Sequence, residues 1–281
     1  MKQFLILCSS VCLLLASCQT SEAPEKETGK KTEKSKDLEK TPVSLTEDNN
    51  AKLITGTYAI IAGKGEDTST SSISYAFYED NGNLSIWQQA INNFIKKSLY
   101  RPEGSPVSKD PLTVKMIEKS MNDFKRYANR HKYEYEMTYS MTDEYVIDDQ
   151  HKEFVTVTQV TSSYDGGAHG MYGTGYFQFD KRTGKELTLK DFVSDMKEFN
   201  RIAEKYFKKS QGIPTNVSVG SKDYSFDFWF ENDQFACNDN FCFDGKSMHF
   251  MYMPYEISNY AEGTIEFSIP MNKIEHLLKL H

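Results

Sequence analysis

Residues 154–192 read FVTVTQVTSSYDGGAHGMYGTGYFQFDKRTGKELTLKDF. Apolar and polar side chains alternate from Phe154 to Val160 and again from Gly170 to Phe179, the period of two imposed on a strand with one buried face. Asp180-Lys181-Arg182-Thr183-Gly184 follows, with glycine placed to take a positive φ, and Glu186–Leu189 is the returning strand. Strand, corner, strand, turn and strand in succession describe antiparallel pairing. Strands and helices elsewhere also come in groups and not in strict alternation. That favours an α+β fold, antiparallel sheets with packed helices, over a doubly wound parallel sheet.

Upstream, Lys52–Ile61 and Ser72–Tyr78 read as strands. Ser85-Ile86-Trp87-Gln88 has the spacing of a capping box. The helix behind it carries Ile86, Ala90, Ile91, Phe94, Ile95 and Leu99 on one face. Asp110-Pro111 opens a second helix with Ile117, Met121, Phe124 and Ala128 on its buried side. From Lys132, alternation of Tyr133, Tyr135, Met137, Tyr139 and Met141 predicts a strand. Downstream, a third helix is expected over Phe192–Lys209, stopped by Gly212 and Pro214. Strands near Tyr224–Phe230, Met248–Met253 and Thr264–Ile269 and a short helix from Pro270 complete the chain. The order β-β-α-α-β-β-β-α-β-β-β-α fits either two related lobes or one continuous domain.

The N-terminus places the molecule in a cell. Lys2 precedes an apolar run, Phe4–Ala16, too short to span a bilayer and of the length of a signal-peptide core. It ends in Leu15-Ala16-Ser17-Cys18, which resembles a bacterial lipobox and implies lipidation of Cys18 after removal of residues 1–17. Residues 18–50 are then the lipidated cysteine and a tether: Gln19–Lys40 holds six acidic and six basic residues and no aromatic one, and cannot bury enough surface to fold. The expectation is an envelope protein anchored to a membrane by lipid. Gln19 is not the aspartate of inner-membrane retention, and Ser21-Glu22 with Glu25-Lys26-Glu27 resembles an acidic surface-export tag. Both point to the outer membrane, at its periplasmic face or the cell surface.

Of five cysteines, Cys8 and Cys12 leave with the signal, Cys18 is lipidated, and Cys237 and Cys242 remain as a candidate disulfide in an oxidising compartment. No clustered Cys/His set offers a metal site, and no cofactor is expected. Thirty-three basic against 40 acidic residues, net −7, argues against nucleic acid and mildly favours a basic partner.

Two segments raise the question of chemistry. In Tyr164-Asp165-Gly166-Gly167-Ala168-His169-Gly170, the glycines permit positive φ at a strand corner, while Asp165 and His169 are candidates to meet a ligand or to act as a base. In Pro254-Tyr255-Glu256-Ile257-Ser258-Asn259-Tyr260, Glu256 either pairs with His169 or fastens a neighbouring loop. A third, FENDQFACNDNFCFDG (230–245), has oxygen-rich side chains but not the closing glutamate of an EF-hand. It reads as a disulfide-pinned hairpin tip exposing Phe235 and Phe241 as a contact surface.

The heptapeptide, then Phe179-Asp180-x-x-Thr183-Gly184-Lys185-x-Leu187-Thr188-Leu189-x-Asp191-Phe192, Pro254-Tyr255-Glu256-Ile257-x-x-Tyr260-Ala261-x-Gly263 and Ile269-Pro270, resemble the signatures of the RsiV-type C-terminal domain. On this reading residues 151–281 are that domain, and residues 51–150 the α+β segment that usually precedes it. The resemblance implies the extracellular module of lysozyme-sensing anti-sigma-V factors, also found in the non-catalytic region of PdaC-type peptidoglycan deacetylases. The chain lacks the metal-binding His pair of the deacetylases. The expectation is therefore a non-enzymatic module binding a lysozyme-like protein or peptidoglycan glycan, with Tyr164, Asp165, His169, Tyr172 and Glu256 as contact candidates. The alternatives are a wall hydrolase or amidase using His169 with Asp165 or Glu256, and a passive scaffold lipoprotein.

Overall fold

The computed structural model describes residues 51–63, 68–135, 138–220 and 228–279. The signal, lipid-anchor and tether readings and most of the strand expected at Tyr224–Phe230 lie outside the described residues.

The fold is α+β. A six-stranded sheet has the order β1 (Leu53–Ala62), β2 (Ser69–Tyr78), β3 (Ser140–Asp148), β4 (Phe154–Tyr164), β5 (Met171–Asp180) and β6 (Glu186–Leu187). A three-stranded sheet is built from β7 (Phe241–Phe243), β8 (Ser247–Tyr252) and β9 (Ile265–Pro270). All pairings are antiparallel except β2 with β3. That parallel pair needs a crossover, which α1 (Ile86–Ser98) and α2 (Val114–Tyr135) supply. The position 150/151 falls in the β3–β4 connection, so one continuous sheet runs across it.

The capping box forms as its spacing requires. Ser85 Oγ accepts from Gln88 N and Gln88 Oε1 accepts from Ser85 N at 2.9 Å. Ile91 and Ile95 of α1 and Ile117 and Met121 of α2 are buried against Ile73, Phe77, Val155 and Val157 of the sheet. Helix α2 starts three residues after Pro111, where Thr113 Oγ1 accepts from Met116 N. It then continues through Tyr135, replacing the strand expected from Lys132. Aromatic residues four apart on a helix share a face just as those two apart share a strand face. Tyr127 and His131 meet at a tilt with centroids 4.1 Å apart, and both meet Tyr139. The strand begins only at Ser140.

Three other expectations are corrected. The returning strand β6 is two residues long, because Thr188 begins a separate turn of helix, α3 (Leu189–Phe192), with Asp191 as its box partner. Asp195 caps Glu198 N and restarts the helix as α4 (Met196–Ser210), ending at Gly212 with φ +68°. Phe228 and Phe230 are not in a strand; they pack around Phe207, and β7 is the third strand of the small sheet. From Pro270 the chain makes two 3-10 turns, Met271–Lys273 and Glu275–Leu277, instead of a helix.

Helix α4 lays Phe199, Ala203 and Phe207 on Phe241, Phe250, Phe267 and Ile269 of the small sheet, a second core. The outer face of that sheet meets β5: Cys242 and Met251 pack on Tyr176, and Gln178 Nε2 donates to Phe241 O at 2.6 Å. Asn240 completes the seam by standing in for a strand along the open edge of β5. Its Oδ1 accepts from Tyr176 N at 2.9 Å and its Nδ2 donates to Thr174 O at 2.8 Å.

Cys237 and Cys242 are separate thiols, not a disulfide. Cys242 points at Tyr176 between the sheets, whereas Cys237 packs on the α4 core, where burial pushes its thiol up. Phe235 and Phe241 are likewise buried in that core, so the segment 230–245 exposes neither as a contact surface.

Candidate ligand-binding site

The loop Asp165–Gly170 joins β4 to β5 and closes a hairpin in which Ser163 faces Met171. Gly166 and Gly167 have φ of +88° and +96°. Gly170 is required for a different reason: a Cβ there would lie 2.6 Å from Ser163 O. Tyr164 reaches over the loop and its hydroxyl donates to Gly167 O at 3.0 Å. The corner reading of these glycines therefore has a backbone basis at each position.

The loop brings His169 to the second segment singled out from sequence. The His169 ring stacks on Tyr260 with centroids 3.8 Å apart and planes 16° from parallel. Its Nδ1 is 3.0 Å from Gly170 O and its Nε2 is 3.3 Å from Tyr255 Oη. A carbonyl can only accept, so Nδ1 carries a proton, and in the neutral ring Nε2 accepts from the Tyr255 hydroxyl. Tyr260 Oη donates to Gly170 O at 2.8 Å, and the Tyr172 ring meets Tyr260 edge-on at 6.0 Å. Gly263 (φ +69°) leaves room for the Tyr172 hydroxyl, which would lie 3.3 Å from a Cβ at that position.

The result is a surface cluster of four rings, His169, Tyr172, Tyr255 and Tyr260. Tyr255 is 49% exposed and Tyr172 36%, with Met171 beside them at 46%. Tyr255 sits at φ +70°, a left-handed conformation that costs a tyrosine about 1–2 kcal/mol. Glu256 holds that turn. Its Oε2 accepts from Met253 N at 2.9 Å and its Oε1 from Asn238 Nδ2 at 2.8 Å.

Of the two sequence readings of Glu256, the structure follows the one in which it fastens a neighbouring loop. Glu256 is committed to Asn238 and Met253, and His169 contacts Tyr255 in its place. Beside this loop, burial first, then Tyr139 and Asp165, raise the Tyr127 hydroxyl of α2. Tyr255 and Tyr260 were not chosen as contact residues from sequence, although both lie in the PYEISNY segment; their spacing of five gives no strand or helix period to follow.

A second constellation was invisible in sequence. On facing positions of β8 and β9, Ser268 Oγ is 2.8 Å from His249 Nδ1, and Asp244 Oδ2 is 2.9 Å from His249 Nε2. Serine hydrolases place the serine on Nε2 and the acid on Nδ1; here the order is reversed. Asp244 Oδ1 also accepts from Lys246 N and Ser247 N, so the trio ties the β7–β8 turn to β9. Among the described residues no group of three or more His, Cys, Asp or Glu is disposed to hold a metal ion, and no helix is long and apolar enough to cross a membrane.

Residues 185–272 match the model of a family described as a protein of unknown function, DUF3298. The fold is similar to the crystal structure of a DUF3298 family member from Bacteroides fragilis, with TM-score 0.64 and 17% identity over 82% of this chain and 94% of that one. It is also similar to a DUF3298 family protein from Pseudomonas aeruginosa, with TM-score 0.54 and 17% identity over 86% and 96%. At these identities the likeness is one of fold. No curated protein sequence matches the chain.

Proposed function

We propose that the chain is a lipid-anchored envelope protein of the RsiV type that binds a cell-wall ligand without catalysing a reaction on it. The lipobox and charged tether support the anchor, at the outer membrane. The observation that carries the binding reading is the cluster of His169, Tyr172, Tyr255 and Tyr260, where the two signature segments meet. Three features support it as a contact surface. His169, Tyr172 and Tyr255 are exposed on a half-buried Tyr260, Tyr255 is held there against backbone strain, and Glu256 is spent on fixing the turn. Strain kept at an exposed ring is the mark of a functional position. Exposed tyrosines offer large rigid faces with a polar edge, suited to stacking on sugar rings.

The second reading, a basic lysozyme-like protein, rests on the net charge of −7. Sedimentation of the purified full chain with peptidoglycan, and its capture on immobilised lysozyme, tests both. Wild-type binding to either that falls at least tenfold in Tyr255→Ala supports the module; binding to neither at low salt refutes it.

A further inference from the structure

The ring cluster stands at one corner of a much larger surface. Helices α1 and α2 cover one face of the six-stranded sheet, and the small sheet covers the other face only at its β4–β5 end, at Phe154, Tyr176 and Gln178. Among the described residues, no helix or strand covers the rest of that second face. Register fixes what lies on it. One row across the strands is Tyr172, Ser162, Thr142, Ser72 and Ala59, all exposed or half-buried. The next is Thr174, Val160, Glu144, Ser74 and Thr57. Hydroxyls meet directly between neighbouring strands, Ser72 with Thr142 at 3.4 Å and Thr57 with Ser74 at 3.2 Å. The row that begins at Tyr172 of the ring cluster crosses four strand intervals, roughly 19 Å.

The composition of this face is abnormal for a sheet in water. Strands β1, β2 and β4, of ten, ten and eleven residues, contain no charged side chain, while 26% of the whole chain is charged. An exposed sheet normally carries charge, above all along an edge strand such as β1, because charge blocks association with other strands. Here short hydroxyl groups replace it, with Glu144 alone among the two rows. The face is also indented: a cavity of about 480 Å³ opens beside these rows, lined by Leu53, Thr55, Thr57, Ser74, Ala76 and Val146 among others.

We propose that this face is a glycan-binding floor, continuous with the ring cluster, that takes an uncharged or amino-sugar polysaccharide strand lying across β5 to β1. The proposal rests on the ring cluster being a binding site and extends it to several sugar units. A row of hydroxyls presents alternating donors and acceptors at the spacing of the strands and pairs with the hydroxyl and amide groups of a sugar chain. The rings at the Tyr172 end stack on one sugar face. The near absence of charge excludes a polyanion as the fitted ligand, since neither cations to attract it nor a basic rim are present on the rows. The site is broad and shallow, matching an extended chain better than a small molecule.

Calorimetric titration of the purified full chain in detergent with the hexamer and the dimer of β-1,4-linked N-acetylglucosamine tests this, with polygalacturonate as the anionic probe. The wild type should bind the hexamer at least tenfold more tightly than the dimer and ignore polygalacturonate. Thr142→Lys and Ser162→Lys should each abolish that tenfold advantage and leave dimer affinity unchanged, while Tyr255→Ala weakens both. Should Thr142→Lys fail to give a cooperative thermal transition, Ser162→Lys, at the exposed end of β4, carries the test. Hexamer and dimer bound alike, with both lysine variants silent, would overturn the floor and leave the ring cluster standing. No sugar bound, with lysozyme captured in a Tyr255-dependent way, would give the face to a protein and overturn the proposal. Binding of neither probe nor lysozyme would remove the ring-cluster reading as well. Polygalacturonate bound as tightly as the hexamer would refute the argument from missing charge.

Discussion

Replacement of Asn240 by alanine tests how the two sheets are joined. Its side chain makes three hydrogen bonds to backbone: it accepts from Tyr176 N at 2.9 Å and donates to Thr174 O at 2.8 Å and Met251 O at 3.1 Å. Thr174 and Tyr176 are 4% and 6% exposed, so truncation leaves a buried N–H and a buried carbonyl on β5 without a partner. Each such group costs about 1–3 kcal/mol, and water entering the space left by the side chain reduces the total. The expected loss is about 2–4 kcal/mol. Asn240→Asp separates the contributions: it keeps the acceptor for Tyr176 but sets a carboxylate against two carbonyls, and should be at least as damaging. Urea unfolding gives the stabilities, and amide exchange at Tyr176 gives the local effect. A loss below about 0.5 kcal/mol for both variants, with Tyr176 still protected, would refute the idea that one amide side chain substitutes for a strand at this edge.

Three further outcomes follow from single residues. Gly170→Ala drives a Cβ into Ser163 O and should cost about 1–3 kcal/mol, more than Gly167→Ala, which meets only an unfavourable φ of +96°; thermal melts that rank them in the opposite order would contradict the close-approach argument. Burial raises the Asp143 carboxyl from 3.8 to about 6, against a hydrogen bond from Gln159 that lowers it. The folded state therefore holds more protons than the unfolded chain between those values, so stability falls as pH rises from about 4 to 6, by at most roughly 3 kcal/mol, and stays low above. Asp143→Asn should flatten that part of the urea-midpoint profile and be the more stable protein at pH 7; a wild-type profile that rises over this window would exclude the mechanism. Tyr255→Gly exchanges the loss of ring contacts for relief of a left-handed tyrosine, so stability should stay within about 1 kcal/mol of wild type while wall-ligand binding drops at least tenfold; a binding loss that tracks unfolding would remove the ring from the site.

Where the sequence was legible, a local rule was decisive. The capping box at Ser85 and the buried positions Ile91, Ile95, Ile117 and Met121 follow from spacing alone. So does the turn at Asp180, whose Oδ1 accepts from Arg182 N and Thr183 N. Pattern failed after Lys132: alternation there predicted a strand, but α2 runs through Tyr135, and Tyr127 and His131, four apart on that helix, both meet Tyr139. The site was half legible. His169 and Tyr172 were reachable because glycine marks where a chain bends. Tyr255 and Tyr260 were not, since their position depends on β8 and β9 bringing residues 86 and 90 apart in the chain against the β4–β5 loop. The open face was hidden for the same reason, because serines and threonines on separate strands form a row only after register is set.

The parallel pairing of β2 with β3 also has a temporal consequence. Ser72 and Thr142 are 70 residues apart, whereas β3, β4 and β5 follow one another through short turns. A chain emerging from its N-terminus presents β1 and β2 first, two strands with no charged side chain, whose partner has not yet been made. Loop closure over the two intervening helices precedes any reward from that pairing, so assembly of the sheet there is slow relative to the meander. For that interval the same hydroxyl-rich strands that face outward in the finished molecule are a nucleus for association between nascent chains. A holdase acting early in the chain's life would therefore matter more for yield than one acting on the finished fold.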